Sequence, residues 1–89
     1  MLVLPAELTH RQATACLRML VQALPAEAGP AVQVDATALQ QFDSSALAVL
    51  LEFRRACLRR GQQVQVRGLS ARLRDLARLY GVEELLAAA

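Results

Sequence analysis

The chain has 89 residues, eight of them acidic and ten basic, for a formal net charge of +2. With 55% hydrophobic and 20% charged residues, it is too apolar for a disordered segment, and its charge is too balanced to speak for nucleic acid. A chain this short has room for one core, so a single domain over residues 1–89 is expected.

All ten basic residues are arginine, which alongside abundant alanine and leucine reads as a GC-rich compositional bias rather than a binding device. Only Phe42, Phe53 and Tyr80 are aromatic, so the core must come from Leu, Val and Ala. Cys16 and Cys57 fall in apolar helical patterns, where a free cysteine acts as a small core residue. No charged start followed by an apolar run of about 7–15 residues marks a signal peptide. The longest apolar run in the body of the chain, Ala46 to Leu51, is far short of the roughly 20 residues a spanning helix needs. A soluble, cytoplasmic protein is the expectation.

Leu2-Val3-Leu4 reads as a short strand stopped by Pro5, which has no N–H to give to a ladder. Thr9 to Gln12 has the T-x-x-Q form of a capping box. Behind it Ala13, Cys16, Leu17, Leu20, Val21 and Leu24 recur at helical spacing, and Pro25 predicts an end near Leu24. After a turn from Pro25 to Pro30, Ala31 to Val34 is a candidate interior strand. Asp35 to Gln41 connects onward, with Leu39 and Phe42 tucked beneath it.

A second helix is predicted from Ser44 to Arg60, with Leu47, Leu50, Leu51, Arg54 and Leu58 on one face and Ala46, Phe53 and Cys57 beside it. Arg59-Arg60-Gly61 closes it with cations and a left-handed cap. Gln62 to Arg67 alternates with period two, the pattern of a strand with one wet face near a sheet edge. Ser70 is placed to cap a third helix, with Leu73, Leu76, Ala77 and Tyr80 as its buried stripe and Gly81 as its end. Val82 to Leu86 adds a final turn, and the terminal alanines should fray. Alternating strands and helices imply an α/β fold with a small, mostly parallel sheet. With three strands, the helices should cover mainly one face.

Few residues offer chemistry. His10 stands alone in the first turn of a helix, a surface position, and no clustered ligands suggest a metal. No glycine-rich phosphate loop occurs. Arg54, Arg55, Arg59 and Arg60 read first as a solvated helix face and second as a surface for an acidic protein. No catalytic residue, cofactor or metal is expected. Asp43, Ser44 and Ser45 remain, three polar groups at one helix entrance. One is enough to cap the first turn. The other two are open to a partner, and a phosphate on either would meet free N–H groups and the positive end of the helix.

The stretch D-A-T-A-L-Q-Q-F-D-S-S-A-L-A-V-L-L, from Asp35 to Leu51, resembles the signature of the STAS family, the fold of bacterial anti-sigma factor antagonists. In that family an aspartate near a strand end is followed eight residues later by Asp-Ser-Ser-Gly-Leu or Asp-Thr-Gly-Gly-Leu opening a helix. Asp35 and Asp43 keep this spacing. R-L-R-D-L-A-R-L-Y-G-V-E-E-L-L, from Arg72 to Leu86, and L-V-L-P-A-E-L-T, from Leu2 to Thr9, resemble the MlaB-like members. Those are small cytoplasmic subunits of Mla-type phospholipid ABC transporters in Gram-negative envelopes. The first strand of the family's usual N-terminal hairpin has no counterpart ahead of Leu2.

The resemblance implies a STAS-like fold and a non-catalytic subunit that binds and stabilises or regulates the transporter's ATPase in maintaining outer-membrane lipid asymmetry. It would lie peripheral to the inner membrane through that partner. Ser44 would sit at the ATPase contact and Asp43 would fix the helix entrance. The alternative it implies is an anti-sigma factor antagonist phosphorylated on Ser45. There the glycines of the motif are replaced here by Ala46 and Ala48, which favours docking over modification. A homodimer through an uncovered sheet edge is left open.

Overall fold

Alternation of valine with polar residues builds the sheet in the computed structural model, which describes residues 1–86. The central strand β3 (Ala31–Asp35) is flanked by β1 (Leu2–Val3) and β5 (Gln63–Arg67), both parallel to it. Val32 pairs with Val64 and Val34 with Val66, while Leu2 lies beside Val34. These residues point one way because strand side chains alternate. Val32, Val34 and Val66 are fully buried and Val64 nearly so. Gln33 and Gln65, between them, are half-buried, and Gln63 and Arg67 are exposed. One face of the sheet is therefore covered and the other is polar and open, as expected.

The cover consists of α1 (Ala13–Ala23) and α2 (Ser44–Arg59), which pack on each other and bury Cys16, Leu20, Leu50 and Phe53 over the valines. The capping box before α1 forms only in part. Gln12 Oε1 accepts from the Thr9 N–H at 2.9 Å, but Thr9 Oγ1 accepts from Arg11 N–H rather than Gln12 N–H. Residues 9–12 make a tight turn, and regular helix begins at Ala13. Val21, expected on the apolar face, is exposed. At the other end Leu24 keeps helical backbone angles beside Pro25 and opens a short 3-10 turn, Leu24–Ala26. Burial of the Leu24 side chain in the core outweighs the local preference against that geometry.

The buried face of α2 is rotated from the one expected. Ala46, Leu47, Val49, Leu50, Phe53, Ala56 and Cys57 face the sheet and α1, whereas Arg54 is half-buried and Leu58 exposed. The small residues Ala46, Ala56 and Cys57 are on the buried side, where they leave room for close packing against the sheet. The helix closes in a Schellman arrangement, with Gln62 N–H donating to Cys57 O and Gly61 N–H to Leu58 O. The Gln62 side chain then turns inward and donates to Glu27 O and Gly29 O, both at 2.9 Å.

After β5, Ser70 Oγ accepts from Leu73 N–H at 3.2 Å and caps α3 (Ala71–Leu79). This helix also ends in a Schellman turn, with Val82 N–H bonded to Ala77 O and Gly81 N–H to Arg78 O. Gly81 takes the left-handed conformation that such a turn requires. Tyr80, expected in the buried stripe, is thereby the capping residue and is 59% exposed. The turn instead brings Val82 and the 3-10 segment Glu83–Leu86 against the core, where Leu86 is fully buried. The expected fraying of residues 87–89 lies outside the described residues.

A second, two-stranded parallel ladder pairs β2 (Glu7–Leu8) with β4 (Gln41–Phe42). Gln40 and Gln41 N–H groups both donate to Ala6 O. This pairing carries the chain to the threshold of α2.

Candidate functional site

Asp43 is the N-cap of α2. Its extended backbone lets Oδ1 turn back to accept the Ser45 N–H at 2.8 Å, which satisfies one free donor of the first turn. Its other oxygen, Oδ2, accepts the His10 backbone N–H at 3.1 Å, and the His10 Nδ1 lies 3.5 Å away. The Ser45 N–H first, and the His10 N–H after it, hold the Asp43 carboxyl below its ordinary pKa. His10 is exposed, as the sequence suggested, and its contribution is the backbone N–H and an imidazole against Asp43.

Asp35, the first aspartate of the signature, does the same job at the end of β3. It accepts the Thr37 N–H at 2.9 Å and the Thr37 hydroxyl, and these bonds, the hydroxyl foremost, lower its pKa. Gly68 packs against this turn. Both aspartates therefore hold backbone in place where β3 and β4 end, and neither is set up as an acid or base for a substrate.

Ser44 is exposed on a ridge between two surface clefts. One, about 590 Å³, is walled by Phe42, Arg72, Leu76, Leu79 and Tyr80. The other, about 280 Å³, lies between α2 and the turn after α3, against Leu47, Ala48, Leu51, Tyr80 and Val82. Ser44 and Tyr80 line both. The Arg72 guanidinium stands 5.2 Å from the Phe42 ring centroid, within cation–π range, which holds it across the first cleft. Leu79 is 80% exposed at the rim. Ser45 is half-buried and lines neither cleft.

The structure thus keeps Asp43, Ser44 and Ser45 together in different settings, with Asp43 capping α2, Ser44 exposed and Ser45 half-buried. Phe42, Arg72, Leu79 and Tyr80 complete the surface and escaped the sequence reading. The available clue was Leu79-Tyr80 directly before Gly81, two large apolar residues at a helix end that a Schellman turn throws outward. The clefts offer a hydroxyl, a guanidinium, the carboxylates of Asp43 and Asp75, a phenol and apolar walls. This set suits contact with a protein surface. Among the described residues, no group of three or more His, Cys, Asp and Glu side chains is arranged to hold a metal, and no helix is long and apolar enough to cross a membrane. Both thiols are buried and burial raises their pKa values, in keeping with cysteines that act as core residues.

A family model described as "Mlab, STAS domain" matches residues 1–87 of the chain. The chain belongs to the STAS family. Its likeness is to the MlaB form of the domain, in keeping with the parallel α/β architecture above. Among curated proteins, no sequence matches. In this STAS domain the two signature aspartates are backbone clamps, and Ser44, the first residue of α2 after the second clamp, is exposed.

Proposed function

We propose that this STAS domain is a non-catalytic subunit that docks on the ATPase of an Mla-type phospholipid ABC transporter, stabilising or regulating it. Through that partner it would sit at the cytoplasmic face of the inner membrane. The observation that carries this reading is Ser44, exposed on the ridge between two clefts, with Leu79 and Tyr80 exposed beside it. Exposed large apolar residues around a small polar centre fit a surface that another protein covers. Asp43 would hold the entrance of α2 in shape, Ser44 would lie in the contact, and Ser45 would contact either the partner or the backbone. ATP hydrolysis would belong to the partner.

Co-expression with an Mla-type ATPase from the same genome tests the reading. A stable complex is expected with the wild-type chain, lost in Ser44→Arg and weakened in Leu79→Asp. No complex, or a Ser44→Arg variant that binds like wild type, would overturn it. The anti-sigma alternative predicts a phosphate on Ser45 in cells and a Ser45→Glu variant unable to bind its partner. Intact-mass measurement of protein purified from several growth phases separates the two.

A further inference from the structure

A second pattern runs along α2 outside the core. Ser44, Ala48, Leu51, Arg55 and Leu58 recur at steps of four, three, four and three residues, the spacing of a single seam on a helix. At 1.5 Å per residue the seam is about 21 Å long. Ala48 and Leu58 are exposed and Leu51 half-buried, although the opposite side of the same helix is closed into the core. The seam is flanked by Arg54 and Arg59.

These arginines exceed what the helix itself explains. The helix dipole favours a cation at Arg59, in the last turn, but it fades within that turn and leaves Arg54 and Arg55 in mid-helix unaccounted for. Among the described residues, only Arg55 of the three makes an ion pair, with Glu52 at 2.9 Å. Three arginines against one glutamate leave this flank with a surplus of two positive charges beside exposed leucine. The small side chains of Ser44 and Ala48 let another backbone approach at the upper end.

We infer that the outer seam of α2 receives an acidic amphipathic helix from the partner. Apolar residues of that helix at three- and four-residue spacing lie along Ala48, Leu51 and Leu58, and its carboxylates meet Arg54, Arg55 and Arg59. Arginine suits such pairing because its planar fork takes a carboxylate with two parallel bonds. The inference rests on the docking function proposed above and extends that surface from Ser44 down the length of α2.

Two measurements test it. In the ATPase complex, Arg54→Glu combined with Arg59→Glu lowers affinity at least tenfold, and what binding remains weakens less with added salt. If wild type binds, Ser44→Arg does not, and the double reversal binds like wild type at low and high salt, the seam is wrong while the docking reading stands. The second measurement needs no ATPase. Isotope-labelled domain is titrated with a synthetic monomeric helix carrying leucines at seam positions and glutamates beside them, and with its lysine counterpart. Amide shifts along Ala48 to Leu58 with the acidic peptide alone, weakened in a Leu58→Asp variant of unchanged spectral dispersion, support the inference. Shifts from neither peptide, from both equally, or away from α2 overturn it.

Discussion

Asp43 accepts the backbone N–H of His10 with one carboxylate oxygen and that of Ser45 with the other. A single side chain thereby ties the turn before α1 to the first turn of α2, and it does so next to the exposed Ser44. Its effect on stability has a definite sign. Because folding lowers the Asp43 pKa, the contribution is complete above the unfolded carboxyl value near ~3.9 and is lost as pH falls through the lower folded value.

Asp43→Asn is therefore expected to lower the urea midpoint at neutral pH. The gap between variant and wild type should narrow as the pH is brought down through the acid range. Paired urea titrations from pH 7 downward measure this. A gap that stays constant down to full carboxyl protonation would show that the charge of Asp43 contributes nothing.

Gln62 is buried, and its amide donates to two carbonyls of the 27–29 loop. Gln62→Leu keeps the volume but leaves Glu27 O and Gly29 O without that donor. A loss of about 1–3 kcal/mol is expected, read by urea unfolding, with hydrogen exchange quickened most in the loop between α1 and β3.

Gly68 has a φ of +75°, and a Cβ built on it would lie 2.5 Å from Thr37 Oγ1 and 3.1 Å from Thr37 N. Gly68→Ala combines left-handed strain with this close approach, for a cost of about 1–3 kcal/mol. Adding Thr37→Ala removes the hydroxyl but not the backbone contact, so thermal unfolding of the double variant should show only partial recovery.

Cys16 and Cys57 are buried, and burial raises the pKa of each thiol. Both should resist a thiol reagent in the native state and react once the domain is unfolded in denaturant. Labelling with and without denaturant, followed by mass measurement, gives the count. Rapid native labelling of either would contradict the packing of α1 against α2.

Local chemistry was legible in the sequence. The Val64–Val66 alternation, the Ser70 cap and Asp43 at the head of α2 all follow from side chain and backbone within a few residues. What escaped was decided at long range. α2 carries apolar residues on several sides, so its periodicity alone admits a face through Leu47, Leu51 and Leu58 as readily as the observed one. Docking on the sheet chose the face with Ala46, Ala56 and Cys57, because small side chains let the helix come close. Tyr80 fitted the stripe of α3 by spacing, but the helix ends one residue before it. The two clefts beside Ser44 were out of reach for the same reason: Phe42 and Arg72 are neighbours only in the fold.

The pairing of Leu8 with Phe42 bears on when the proposed docking surface comes into existence. The threshold of α2 is built from residues near the start of the chain and residues more than thirty positions later, so α2 forming alone leaves Asp43 without its His10 donor. A nascent or misfolded chain would present helix and serine but not their setting. A partner that read this ridge would consequently bind only the completed fold, and assembly with it would double as a quality check.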